Sequence, residues 1–400
     1  MRIAQVSPLW ESVPPKLYGG TERIVSYLTE ELVRIGHDVT LFASGDSITA
    51  ARLVPIWPEA LRLSKDIAYR DAPVVLQQER VLGMAEEFDL IHFHMDMPGF
   101  PIARRCGTPT ITTIHGRLDL PELRPVFHEF ADMPLASISD AQRHPLPWAN
   151  WVATVQHGLP RDLYGFHPKR GKYLAFLGRI TPEKRVDLAI EIAKRTGMRL
   201  GIASKVDPVD RAYFEAEVEP LLHHPLIDYI GEINDAEKDK FLGDAEALIC
   251  PYDSTEAFGL ALIEALACGT PVITYDHGPF PEIIEDGVTG FLCRSVRDMI
   301  EAVGLVPLID RHRCRQQFEQ RFTTERMTQD YVDVYRQLVE PRRTAVCLPP
   351  HAVRISEARM DSPRGSLRGR KCDVMSTARG GPAQSAFAST AQPLPPSPLR

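Results

Sequence analysis

One pattern dominates the 400-residue chain and occurs twice: a short, almost wholly apolar strand, a glycine-bearing turn, an amphipathic helix, then another apolar strand. Strands apolar on both faces must be covered on both faces, which is the condition of a parallel sheet flanked by helices. The first series is predicted at residues 3–7, 39–43, 90–94, 110–114, 135–138 and 152–155. Its first helix follows Gly20, carries Ile24, Leu28 and Leu32 at helical spacing, and stops at Gly36. A turn-rich stretch, 161–172, interrupts. The pattern then restarts, with strands expected at 173–177, 199–203, 227–230, 247–250 and 272–275, a helix over 183–196, and a closing helical segment over 316–339. The fold class is therefore α/β, two tandem Rossmann-like, doubly wound domains whose strand ends face a shared cleft.

Length agrees, because 400 residues exceed what one ordinary hydrophobic core organises. With 44% hydrophobic and 25% charged residues the composition is globular, and no apolar run reaches the roughly 18 residues of a membrane span. The opening MRIAQVSPLW reads as a strand rather than a leader, so a cytoplasmic protein is expected. Seven cysteines with no C-x-x-C spacing suggest buried thiols, not a disulfide framework. Net charge is −7, but residues 342–400 carry ten Lys and Arg against three Asp and Glu, leaving a body of −14. So acidic a body argues against nucleic acid as a partner. The basic tail, with eight prolines, reads as disordered, and weak contact with an anionic membrane surface is the alternative to a solvated extension.

Chemistry concentrates in the loops that follow strands. Residues 254–273, STEAFGLALIEALACGTPVI, place Glu256 before and Glu264 within a helix expected from about Phe258 to Gly269. On one continuous helix the two carboxylates would lie roughly 12 Å apart along the axis. That suits two ends of an elongated ligand and exceeds the roughly 5 to 9.5 Å of a glycosidase pair. The Phe258, Gly259 and Leu260 amides at the helix start favour an anion. Tyr18-Gly19-Gly20-Thr21 leads into the first helix, where glycine backbone lets a phosphate or sugar approach closely, although Gly-Gly before a helix is more often just a turn. The full G-x-G-x-x-G dinucleotide fingerprint is absent. In the second half, Gly178-Arg179-Ile180-Thr181-Pro182-Glu183-Lys184 supplies a guanidinium fork and an ammonium able to converge on a diphosphate. His92, His94 and Asp96 have the spacing of metal ligands on a strand face, yet no further ligand converges in sequence, so packing or hydrogen bonding explains them as well. His115 follows a strand end, and its context leaves a catalytic or substrate-orienting role and a structural one equally open. No G-x-S-x-G nucleophile elbow occurs.

Taken in order, Gly19-Gly20, His115, Gly178-Arg179, Lys184, Gly231 and Glu256-x7-Glu264 resemble family 4 of the retaining nucleotide-sugar glycosyltransferases, which have the GT-B fold. The resemblance covers roughly 1–340. It implies an acceptor domain over 1–165, joined by a returning helix at about 325–341, and a donor domain over 166–324. It implies that Arg179 and Lys184 bind the donor diphosphate, Glu264 the ribose hydroxyls and Glu256 the sugar hydroxyls. The Phe258 to Leu260 amides would hold the distal phosphate, Gly19 and Gly20 would approach phosphate from the opposite domain, and His115 would lie near the transferred sugar. Gly178 and Gly231 complete the donor-binding set. The activity implied is transfer of a hexosyl unit from a nucleotide diphosphate sugar, UDP-sugar before GDP-mannose or ADP-glucose, to an acceptor hydroxyl on a small molecule, glycan or lipid-linked substrate. No metal and no cofactor beyond the co-substrate is expected. A sugar-nucleotide epimerase, a phosphorylase and a non-catalytic nucleotide-sugar-binding protein are the alternative readings. One departure stands out: Gly278-Pro279-Phe280-Pro281-Glu282 replaces the Gly-Gly that family members often have before x-Pro-Glu, which is expected to reshape the sugar pocket.

Overall fold

A computed structural model describes residues 1–16, 19–62, 64, 67–252 and 256–346, with 341–346 by backbone alone. Tyr18, Ser254 and the tail from 347 onward lie outside the described residues. The first half runs β1 (Arg2–Val6), α1 (Gly20–Arg34), β2 (Asp38–Ala43), β3 (Arg52–Pro55), α2 (Asp71–Gly83), β4 (Leu90–Phe93), α3 (Phe100–Arg105), β5 (Thr110–Thr113), α4 (Leu123–Glu129), β6 (Leu135–Ser137) and β7 (Trp151–Thr154). These strands form a seven-stranded sheet in the order β3-β2-β1-β4-β5-β6-β7, every pairing parallel.

The second half runs β8 (Tyr173–Arg179), α5 (Val186–Thr196), β9 (Arg199–Lys205), α6 (Arg211–Tyr213), β10 (Ile227–Gly231), α7 (Asp235–Gly243), β11 (Ala247–Cys250), α8 (Leu260–Cys268), β12 (Val272–Tyr275), α9 (Phe280–Ile283), β13 (Gly290–Cys293), α10 (Val296–Leu305), α11 (Arg311–Arg321) and α12 (Thr324–Val346). Its six-stranded parallel sheet has the order β10-β9-β8-β11-β12-β13. In both sheets strand order reverses beside the first strand, between β1 and β4 and between β8 and β11. Loops leaving the two sides of such a switch point diverge, and the crevice between them is where this architecture binds ligands.

Four local departures from the sequence expectation matter for function. Arg185 adopts a left-handed conformation (φ 50°, ψ 47°), so the helix expected from 183 splits into one tight turn, Pro182–Lys184, and α5. Lys184 thereby sits on a turn at the strand end. Gly259 has φ 111°, a value that favours glycine, and α8 starts after it, at Leu260. Glu264 is then only about 6 Å along the helix from its first residue, and the 12 Å estimate for the pair does not apply. The segment 316–339 is two helices, α11 and α12, parted where buried Phe322 ends one and Thr323 bridges to Leu159. Edge strands β3, which ends on a proline, and β13 are additional to the strands read from sequence.

The stretch 161–172 is packed in place. Tyr164 is buried, and Arg315 of α11 donates to the carbonyls of Arg161 (2.9 Å), Tyr164 (2.8 Å) and Ala267 (2.7 Å). Arg311, one turn earlier, donates to His167 O (2.7 Å), Ala245 O (2.8 Å), Gly243 O (2.9 Å) and Thr270 Oγ1 (2.7 Å). The buried Arg311 guanidinium thus meets carbonyls at the C-terminal end of α7, Arg315 meets one at the end of α8, and both tie the stretch to the second half. α12 then returns to the first sheet, where Tyr335 Oη lies 3.2 Å from Gln5 Nε2 and Tyr331 Oη lies 2.9 Å from Thr113 Oγ1. Among the described residues no helix is long and apolar enough to cross a membrane. Cys250, Cys268, Cys293 and Cys314 are buried free thiols.

Removing the Arg311 hydrogens strands several buried carbonyls at about 1 to 3 kcal/mol each before relaxation. Arg311→Met is expected to lower unfolding free energy by about 3 kcal/mol, read from the urea midpoint at unchanged m-value.

Candidate active site

Loops from the carboxyl ends of β1, β4, β5, β8, β9, β10 and β11 enclose a cleft cavity of about 630 Å³, within the range of small-ligand sites. Gly19, Gly20, His115, Gly178, Arg179, Lys184, Glu256, Phe258, Gly259, Leu260 and Glu264 all line it. Gly231 does not; its φ of 87° turns the chain so that Glu232 and Ile233 line the wall instead.

Two helices begin at this cavity, α1 from the first half and α8 from the second. Gly19 and Gly259 are their N-cap residues, and neither helix has a side-chain cap. Ser, Thr, Asp and Asn are the residues best suited to satisfy a helix's first amides, as Asn234, Ser295 and Asp310 do for α7, α10 and α11. At α1 and α8 the N-cap residue supplies no side chain, and both helix starts line the cleft. A Cβ on Gly20 would stand 3.4 Å from Leu260 Cδ1, so the two helix starts nearly touch. Paired N-termini of this kind present positive potential able to receive an anion.

The side chains around them are matched in charge. Lys184 forms a short ion pair with Glu256, its Nζ lying 4.1 Å over the Tyr252 ring. Arg179 pairs with Asp207 at 3.5 Å, and Lys205 reaches the same carboxylate at 2.7 Å. Glu264, 4% exposed, accepts from Lys238 Nζ (3.0 Å) and Tyr164 Oη (3.2 Å) through the same oxygen, Oε1. Arg23 of α1 reaches Asp235 on α7, an ion pair linking the two halves.

The histidines behave differently from a metal set. His92 has Nδ1 2.7 Å from Tyr335 Oη and Nε2 2.7 Å from Thr113 Oγ1. His94 has Nε2 2.7 Å from Gln5 Oε1 and Nδ1 3.0 Å from His115 Nε2. All four ring nitrogens are engaged within the protein. Among the described residues no three potential ligands converge. Burial holds His92, His94 and His157 neutral by pushing their pKa values well below the ordinary range, and His115 down to about 3. Burial also lifts Asp96 to about 6, although its carboxylate accepts from the His115 and Gly116 amides.

Glu282, on α9 in the 278–282 segment, lies away from the cavity lining. None of 278–282 lines the cavity; the Glu282 carboxylate accepts from the amides of Asp140 (2.9 Å) and Ala141 (2.8 Å) in the first half. With Ser139 Oγ donating to Ala257 O (2.7 Å), it clamps the cleft shut on one side.

Sequence reading missed Lys238, Tyr164, Tyr252, His157 and Glu22. For Lys238 a signal existed: Asn234 and Glu237 form a capping box at the start of α7, which fixes a helix beside the cleft.

Among solved structures, the fold matches a sucrose-phosphate synthase from Thermosynechococcus elongatus at TM-score 0.69 and 17% identity, over 85% of this chain and 99% of that one. It also matches Anabaena HepE, solved with UDP and glucose, at TM-score 0.67 and 16% identity, over 84% and 100%. Two Rossmann-like halves with a ligand cleft between them define this chain as a protein of the GT-B fold. The family model for glycosyltransferase family 4 matches residues 18–178, and that for glycosyl transferases group 1 matches 165–310. The chain belongs to this family and is a glycosyltransferase. It is 25% identical over 356 residues to the phosphatidyl-myo-inositol mannosyltransferase of Mycobacterium leprae, covering 80% of this chain and 90% of that protein.

Glu22, in the first turn of α1, yields a stability prediction. Burial raises its pKa from the ordinary 4.5 to about 7, even though it accepts from the Glu11 amide. Between those values the folded state keeps a proton that the unfolded chain gives up, so the Glu22 contribution to stability is lost as pH rises from 4.5 through 7. Glu22→Gln is expected to be neutral at pH 4 and to stabilise at pH 8 by up to about 3 kcal/mol, measured by urea unfolding at both pH values.

Proposed function

We propose that the enzyme transfers a hexosyl unit from a nucleotide diphosphate sugar, UDP-sugar in preference to GDP-mannose or ADP-glucose, to an acceptor hydroxyl with retention of anomeric configuration and without a metal. The observation that carries this reading is the pair of uncapped helix N-termini meeting at Gly20 and Leu260, beside Lys184 and Arg179. The two phosphates of a donor need just such dispersed positive potential, and amides plus cations supply it without a bound ion.

The ion pairs become a sequence of exchanges. When the diphosphate enters, phosphate oxygens replace Glu256 on Lys184, and Glu256 turns to hydrogen-bond the sugar hydroxyls. Glu264 keeps Lys238 and Tyr164 on Oε1 and takes the ribose hydroxyls on Oε2. As the C1–O bond to phosphate breaks, its electron pair goes to the leaving diphosphate, whose growing charge is stabilised by Arg179, Lys184 and the helix amides. The acceptor oxygen bonds to C1 on the same face, and its proton passes to the departing phosphate oxygen. No carboxylate is then needed as a nucleophile.

The acceptor hydroxyl enters from the opposite wall, where Leu9, Trp10, Leu61, Val74 and Met95 form an apolar side to the cavity. That wall suits an acceptor with an apolar part, whether small molecule, glycan or lipid-linked. The relative from Mycobacterium leprae is named for a phosphatidylinositol acceptor, which supports this end of the range.

Turnover with UDP-glucose, GDP-mannose and ADP-glucose, followed by NMR of the anomeric proton of the product, tests the reading. Retention, unchanged rates in EDTA, and loss of about 10²-fold or more of kcat in Glu256→Ala with nucleotide affinity preserved are expected. An inverted product or an absolute requirement for a divalent ion contradicts it.

A further inference from the structure

Behind His115 the first sheet buries a run of polar side chains that the transfer chemistry above leaves unused. Its pivot is Gln5 on β1, wholly buried, with both ends of its amide engaged. Nε2 donates to Tyr335 Oη on α12 (3.2 Å), and Oε1 lies 2.7 Å from His94 Nε2. An oxygen can only accept, so His94 carries its proton on Nε2. Burial keeps His94 neutral, which leaves its Nδ1 as an acceptor, and the group 3.0 Å away, His115 Nε2, must therefore donate. His115 is neutral as well, so its Nδ1 carries a lone pair.

The other end of the run is consistent with the same polarity. Tyr335, accepting from Gln5, has its hydrogen free for His92 Nδ1 (2.7 Å), and His92 Nε2 donates in turn to Thr113 Oγ1 (2.7 Å). Turning the Gln5 amide over would reverse the direction of these protons and make His115 Nδ1 a donor.

The His115 backbone is fixed independently. Asp96 has φ 52° and ψ −139°, a conformation that costs on the order of 1 to 3 kcal/mol for a residue with a side chain. There its carboxylate holds the His115 amide at 2.9 Å. Strain at one residue and a buried relay at another both serve to present a single ring, in one orientation, to the cavity.

We infer that Gln5 and His94 are positioning residues that lock His115 in the Nε2–H tautomer, so that its Nδ1 accepts a hydrogen bond from a hydroxyl of the transferred sugar. This rests on the glycosyl-transfer reading for the identity of the ligand, but the tautomer is a property of the protein alone. The relay dictates selectivity: the site pairs with a hydroxyl, a donor, and disfavours a group that can only accept.

Long-range 15N–1H correlation of the histidine rings in the full chain, without ligand, reads the tautomer directly. His115 is expected with its proton on Nε2, and a proton on Nδ1 would overturn the inference. In Gln5→Met the single tautomer should be lost and kcat should fall about tenfold, with nucleoside diphosphate affinity unchanged. Gln5→Glu, which keeps an acceptor oxygen against His94, should retain the Nε2–H form. Unaltered tautomer and kcat in Gln5→Met would also overturn it. If Gln5→Met fails to fold, the wild-type and Gln5→Glu spectra still decide. Absence of transfer with every donor would refute the function and leave the tautomer result standing.

Discussion

Everything at the cleft depends on the meeting of two helix starts, one from each sheet, at a point where neither carries a side chain able to cap it. Gly19 and Gly259 leave the first amides of α1 and α8 without side-chain caps, and Gly20 brings the two starts within contact of one another. Positive potential from both helices then sums in one small volume. Few side-chain arrangements achieve this, because a cation needs a partner of opposite charge when it is buried and an amide does not. Lys184, Arg179, Lys238 and Arg23 do have such partners, and those carboxylates are the groups a polyhydroxylated phosphate ligand would displace or share.

Holding the starts in register requires the halves to be tied elsewhere. Glu282 on the amides of Asp140 and Ala141, Ser139 on Ala257, and Arg23 on Asp235 span the cleft directly. Arg311 fastens the connecting stretch to the C-terminal end of α7 and Arg315 to that of α8, and α12 reaches back to the first sheet through Tyr331 and Tyr335. The same tyrosines belong to the polar run that ends at His115. Packing of the returning helix and preparation of the site are thus one construction.

How much of this the sequence reveals depends on the range of the interaction. Period and length expose the strands and α1, since each is a local pattern, and the glycines and cations that follow strands mark the cleft because the architecture gathers strand ends there. Arg185 was illegible: nothing in Pro182 to Val186 announces that a residue with a side chain takes a left-handed turn. The partners of Glu264 were hidden for a different reason, since Tyr164 lies 100 residues away and Lys238 lies 26 away. Gln5 and Tyr335, separated by 330 positions, carry no local sign of their contact at all. The 278–282 segment was expected to shape the sugar pocket, whereas it does not line the cavity and the Glu282 carboxylate spans to Asp140 and Ala141, 141 or more positions away.

The most direct measurement of the central claim, that helix amides and cations grip a diphosphate, is calorimetric titration of the unmodified enzyme with the nucleoside diphosphate of its preferred donor, the monophosphate and the nucleoside. Affinity is predicted to fall at least about tenfold with each phosphate removed, as charge-assisted hydrogen bonds are lost. Equal affinity for all three would contradict the account.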